Sequence, residues 1–172
     1  MATIFETHAT SVDNEKCIAS GHNDSQLSAT GIMQARQLGM RYEKKSIDVV
    51  YCSDLARSYD TATIAFEKTG TPIISDSRLR EWDYGIFNGA PATEVEKLKS
   101  DYLHTPFPEG ESLDDAVDRI LRCIDDIDAT RKILLIGHRA VFYALECRYN
   151  KRSFQELITR PWKWQAGWKY NR

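Results

Sequence analysis

The chain has 172 residues, 42% of them apolar and 28% charged, with few prolines and glycines. That length and composition describe one soluble globular domain with a sizeable core rather than two domains. A formal net charge of −2 lacks the basic surplus of a general nucleic-acid binder, so an anionic ligand has to be drawn by local charges.

In chain order, Ile4-Phe5-Glu6-Thr7 reads as a short strand that delivers His8 to its end, followed by hydroxyls and Asn14. Ligands of open α/β sheets gather at the carboxyl ends of strands, so this position suits a site. Residues 15–27 read as a loop, and Ser20-Gly21-His22-Asn23-Asp24 within it is turn chemistry. Ser28 is predicted to cap a helix running to about Lys44, with Ile32, Ala35, Leu38, Gly39 and Tyr42 at helical spacing. Ile47 to Cys52 is a compact β-branched run, hence a buried strand. Ser53 or Asp54 is predicted to cap the next helix, which carries Arg57 in its first turn and ends near Lys68. After Gly70, Pro72-Ile73-Ile74 starts another short strand.

Residues 77–111 have weak periodicity and read as a long irregular insertion, the kind of segment that is functional or mobile. Ser112 then caps an acidic-fronted helix (Asp114, Asp115) predicted to reach about Ala129. Ile133-Leu134-Leu135-Ile136 is the strongest strand signal and runs straight into Gly137-His138-Arg139. Helices are predicted from about Ala140 to Tyr149 and from Ser153 to Thr159, with an edge strand over Trp162 to Tyr170. The alternating Trp162, Trp164, Trp168 and Tyr170 are assigned to packing rather than to base stacking. Strands alternating with helices mean an α/β fold, with helices on both faces of a mostly parallel sheet. If the strands ending at His8 and His138 are parallel neighbours, the two histidines converge.

No apolar run approaches membrane-spanning length, and the start of the chain lacks a basic segment followed by an apolar one. A cytoplasmic location is therefore expected. Cys17, Cys52, Cys123 and Cys147 are scattered without a CxxC pair, so free thiols are expected and a zinc site is not. His22 with Asp24 is too weak a pair to suggest a metal, and His104 has no motif around it.

With these residues in hand, the chain resembles the histidine phosphatase superfamily, the group that includes cofactor-dependent phosphoglycerate mutases. The opening Arg-His-Gly-Glu-Thr signature with its following Asn lines up with Thr7-His8-Ala9-Thr10-Ser11 and Asn14. The Leu-Thr-x-x-Gly helix start is similar to Leu27-Ser28-Ala29-Thr30-Gly31. The phosphate-binding Ser-Asp-Leu-x-Arg segment is matched in full by Ser53-Asp54-Leu55-Ala56-Arg57. Leu79-Arg80-Glu81 with Gly85, then Gly110-Glu111-Ser112 and Ile136-Gly137-His138, complete the series in order.

The resemblance implies a single three-layer α/β/α domain of phosphoglycerate mutase-like fold, with the 77–111 insertion over the site. It implies hydrolysis of a small phosphomonoester through a phosphohistidine on His8, with Arg57 and His138 gripping phosphate and Glu81 as acid. Asp83 is the rival carboxylate for that last role. Thr7, Ser11, Asn14 and Arg139 are the expected further substrate contacts, and neither a metal nor an organic cofactor is expected. The chemistry suits these residue types. A neutral imidazole is a good nucleophile at phosphorus, fixed cations stabilise the transferring group, and the leaving alkoxide needs a proton.

The departures cluster at the nucleophile. The family arginine before it is Thr7, the following glycine is Ala9, the glutamate is Thr10, and a later acidic position is Asn88. Removing a transition-state arginine costs on the order of 10³ to 10⁵ in rate in other phosphoryl-transfer enzymes. Arg139 replaces a family glycine at a helix start, where a cation is disfavoured unless an anion is near. It is therefore a candidate to supply the charge missing at Thr7, with an internal pair to Glu6 as the competing role. The rival function is a degenerate, non-catalytic member that binds a phosphorylated ligand or a protein partner. Mutase activity is less favoured because the short chain leaves little room to enclose a bisphosphate. A serine hydrolase lacks its Gly-x-Ser-x-Gly elbow.

Overall fold

The computed structural model describes residues 2–171. The chain opens with β1 (Ala2–Thr7), a one-turn helix α1 (Val12–Glu15), β2 (Ile18–Ala19) and α2 (Ala29–Tyr42). It continues through β3 (Val49–Cys52), α3 (Ala56–Phe66), β4 (Ile73–Ser75), β5 (Ala90–Pro91) and α4 (Ala92–Leu98). The last part contains α5 (Leu113–Asp126), β6 (Ile133–Gly137), α6 (Arg139–Asn150), α7 (Phe154–Thr159) and β7 (Trp168–Asn171). Five strands form one sheet in the order β4-β3-β6-β1-β7, parallel except for β7, which runs antiparallel beside β1.

The side-chain alternation of the strands divides the core between two layers of helices. Ile4, Val50, Cys52, Leu134 and Ile136 face one side, against Leu38 and Tyr42 of α2 and Ala62, Ala65 and Phe66 of α3. Phe5, Val49, Ile133 and Leu135 face the other, against α5 and α6. The central strand β6 is buried along its whole length, as its unbroken aliphatic run requires. Each of its four large side chains contributes about 1.5–3 kcal/mol by leaving water.

Several local expectations are corrected. The helix predicted to be capped by Ser53 or Asp54 has Leu55 at its N-cap position, with no side-chain bond from it. Ser53 Oγ lies 2.7 Å from His138 Nε2, Asp54 pairs with Arg80, and Asp24 accepts the Ala56 N–H at 2.8 Å instead. The edge strand is restricted to β7, because Gly167 turns at φ +65 and the partner ladder spans only Ala2–Phe5. Ile32, expected on the buried face of α2, is 36% exposed. Nor is 77–111 structureless. It holds β5, α4 and three one-turn helices, packed around the Trp82, Tyr84 and Phe107 rings at 5.3–5.7 Å. Its β5 pairs with β2, which lies in the segment predicted to be a loop. Among the described residues no helix is long and apolar enough to cross a membrane.

Helix α2 approaches the residues after His8 closely enough to fix them. Thr10 O accepts the Ser28 N–H at 3.0 Å, and a Cβ on Gly31 would lie 2.0 Å from the same carbonyl. Gly31→Ala should therefore push the His8–Thr10 segment outward and destabilise the protein by about 1–3 kcal/mol. Urea unfolding checks this, and an unchanged midpoint would show that α2 does not brace the segment.

Candidate active site

The site is built by the pairing of β1 with β6. Thr7 is in register with Gly137, and the His8 N–H donates to Gly137 O at 2.8 Å. The next residue of each chain segment is thereby delivered to the same sheet edge, with the His8 and His138 rings centred 4.9 Å apart. His8 Nδ1 lies 2.7 Å from Ala9 O. A carbonyl only accepts, so Nδ1 carries the proton and Nε2 keeps its lone pair. Burial, followed by the charge of Arg57, lowers the His8 pKa to about 4. His138 is pushed well below its ordinary value by burial, then by Arg57 and His8. Its Nε2 is held by Ser53 Oγ, while its Nδ1 is buried with no hydrogen-bond partner among the described residues.

Arg57 stands in the first turn of α3, 2% exposed, beside both imidazoles. Its guanidinium donates to Gly21 O at 2.7 Å and Asn23 O at 3.0 Å, leaving the rest of the fork for a ligand. Gly21 has φ +52, and a Cβ there would fall 1.8 Å from Asn88 Oδ1. This residue must be glycine for its carbonyl to aim Arg57.

Glu81 arrives from the insertion. Its carboxylate accepts the N–H groups of Trp82 (2.9 Å), Ala140 (3.0 Å) and Arg139 (3.2 Å). It thus caps α6, whose own N-cap residue His138 makes no side-chain cap, and its charge acts on His8 and Arg57. Asp83, the rival carboxylate, binds the Gly85 N–H and the Asn88 amide and faces His22 at 3.3 Å.

Four predicted residues, His8, Arg57, Glu81 and His138, therefore come together. The others sit differently. Ser11 Oγ accepts the Asn14 N–H and Asn14 Oδ1 accepts the Ser11 N–H, so both form the capping box of α1. Thr7 lines, with His8, a cavity of about 500 Å³ reaching Arg41 and Trp164. Arg139 directs its guanidinium to Glu96 Oε1 (2.6 Å) and Tyr143 OH (2.7 Å), away from the role of replacing the arginine lost at Thr7. Its competing pair with Glu6 does not form either. Glu6 is buried and takes Tyr42 OH at 2.8 Å and Arg41 at 3.2 Å.

Sequence reasoning missed two positioning residues. His22 Nε2 donates to Glu81 O at 2.7 Å, although its surroundings read as an ordinary turn. Arg119 on α5 donates to the carbonyls of Arg78, Arg80 and Glu81 and pairs with Glu111. An arginine on an amphipathic helix carries no sequence signal for such a role.

A profile described as the Histidine phosphatase superfamily (branch 1) matches residues 5–166. A candidate phosphoserine phosphatase of Hydrogenobacter thermophilus is 31% identical, covering 87% of this chain and 79% of that protein. The uncharacterized phosphatase PhoE of Bacillus subtilis is 32% identical over 76% of this chain and 67% of its own length. In three dimensions the chain is similar to the alpha-ribazole phosphatase of Shigella flexneri, with a TM-score of 0.81 at 23% identity. That match covers 91% of this chain and 83% of that one, and at such identity it speaks for the fold.

The protonation of His8 has a defined sign. Its folded pKa, about 4, lies below the ordinary 6.5, so between these values the unfolded chain binds the proton and the folded one does not. Stability contributed by the neutral ring is complete above pH 6.5, falls as pH drops through this window, and levels off below about 4. Imidazole NMR should show His8 neutral down to about pH 5. A midpoint near 6.5 would contradict the burial argument.

Proposed function

This chain belongs to the histidine phosphatase superfamily, and from that premise we propose that it hydrolyses a phosphomonoester through a phosphohistidine on His8. The observation that carries the reading is the state of the His8 ring, neutral, with Nδ1 committed to Ala9 O and the Nε2 lone pair free beside His138 and Arg57. The Nε2 lone pair attacks phosphorus and the ester P–O bond breaks. The departing alkoxide takes a proton that Glu81 carries into this step on Oε2, the oxygen with the single, longer contact to Arg139 N, and leaves Glu81 as the carboxylate. Water then attacks the phosphohistidine and gives its proton to the Glu81 carboxylate. The P–N bond breaks and its electron pair returns to Nε2, so ester plus water yields alcohol plus phosphate. Arg57 and the His138 ring stabilise the charge spread over the transferring oxygens. The phosphatase names of the relatives agree with this direction of chemistry.

A second reading, a member that binds a phosphorylated ligand without turning it over, draws on Thr7. A neutral hydroxyl there replaces a charge-assisted contact that is roughly twice as strong.

Rapid mixing with a ³²P-labelled ester followed by denaturation in base, which spares a P–N bond, separates the two readings. The phosphatase reading expects label on the wild type and none on His8→Ala. An unlabelled wild type across a broad panel of phosphoesters would favour the binder. Glu81→Gln should lower kcat/KM, which reports only the first transfer, by about 10²–10⁴ on alkyl phosphates, and far less on p-nitrophenyl phosphate, whose leaving group needs little protonation. Equal losses of kcat/KM on both substrates would remove Glu81 as the acid.

A further inference from the structure

His138 is 1% exposed, and the fold treats its two ring nitrogens differently. Nε2 lies 2.7 Å from Ser53 Oγ, whereas Nδ1 is buried with no hydrogen-bond partner among the described residues. Ser53 is itself fully buried, and the His138 ring is the one partner of its hydroxyl among the described residues. The strand ladders set the two neighbours of this ring on opposite sides of it. Ser53 follows Cys52 of β3, His8 follows Thr7 of β1, and β6, which delivers His138, runs between those strands. The two nitrogens of an imidazole point in nearly opposite directions. With Nε2 turned to Ser53, Nδ1 is turned to the side of His8, whose ring centre is 4.9 Å away.

One hydrogen lies between Oγ and Nε2, and its owner decides what Nδ1 can do. If Nε2 donates, the buried hydroxyl hydrogen is left without an acceptor, and Nδ1 shows the rim a lone pair that repels a phosphoryl oxygen. If the hydroxyl donates, Ser53 is satisfied and the ring hydrogen sits on Nδ1, a buried donor that an anion can pair. Buried polar groups are hydrogen-bonded with few exceptions. Each arrangement leaves one buried hydrogen unpaired in the free protein, and a bound phosphoryl group completes only the second.

We propose that Ser53 is a positioning residue that fixes the tautomer of His138, so that Nδ1–H is the ring's donor to the phosphoryl group. The inference rests on the functional reading above, in which His138 grips the transferring oxygens. Left to itself, a neutral histidine side chain favours the proton on Nε2. The hydrogen bond made by one ring nitrogen decides which tautomer is held, and the Ser53 hydroxyl reverses the ordinary preference. Arg57 beside the ring already supplies positive charge, so His138 contributes a directed neutral donor rather than a second cation.

Long-range ¹H–¹⁵N imidazole spectra of the full chain, with and without inorganic phosphate, read the tautomer without requiring turnover. The wild type should show a protonated Nδ1 and an unprotonated Nε2 on His138 in both states, with the Nδ1 signal shifting when phosphate binds. Ser53→Ala should move the proton in part to Nε2 and weaken phosphate binding by calorimetry about threefold to tenfold, the worth of one net hydrogen bond. His138→Asn, whose amide nitrogen overlies Nδ1, should keep more phosphate affinity than His138→Gln, whose amide nitrogen overlies Nε2. A Ser53→Ala variant that retains the wild-type tautomer or the wild-type affinity would overturn the assignment, as would a Gln variant that binds as well as the Asn one. Phosphate bound by a wild type protonated on Nε2 would remove this inference alone and leave the functional reading intact. Failure of the wild type to bind phosphate would overturn the phosphoryl grip itself, and this inference with it.

Discussion

The ladder between β1 and β6 is the constraint on which the site depends. It ends with Thr7 opposite Gly137 and with the His8 N–H on the Gly137 carbonyl, and it places two imidazoles at one rim. Because side chains alternate along a strand, a slip of one residue would carry the β1 side chains to the opposite face and separate the rings. The slip is prevented by burial. Phe5 and Ile4 point into different helical layers, and both cores would be lost together. The same burial keeps both imidazoles neutral, so the packing that fixes the register also sets the protonation state of the rings.

Much of this was legible in the residues themselves. The aliphatic run 133–136 and the β-branched run ending at Cys52 admitted little besides buried parallel strands, and the Ser-Asp-Leu-x-Arg segment placed Arg57 in a helix's first turn. What was not legible depended on partners distant in the chain. Ser53 and Asp54 are good caps by local chemistry, but His138 and Arg80 claim them, and the cap comes from Asp24. The insertion looked irregular because its order comes from aromatic rings meeting across it rather than from a repeating period. Arg119 and His22 act through backbone carbonyls of the Glu81 segment, contacts that no local pattern announces.

Charge is distributed around the divergent Thr7 in an uneven way. Arg57 lies beside both imidazoles, held from behind by two loop carbonyls, while Arg41 and Arg139 lie under tail tryptophans and are bound to Glu6 and Glu96. The rim thus gathers one guanidinium and two neutral rings.

The most direct measurement is a crystal structure of the protein with orthovanadate, which mimics the five-coordinate phosphorus of the transfer. The expected result is vanadium bonded to His8 Nε2, with its oxygens on Arg57 and the His138 ring and one apical oxygen turned toward Glu81. Vanadate bound to another side chain, or absent from the rim between residues 8 and 138 at saturating concentration, would contradict it.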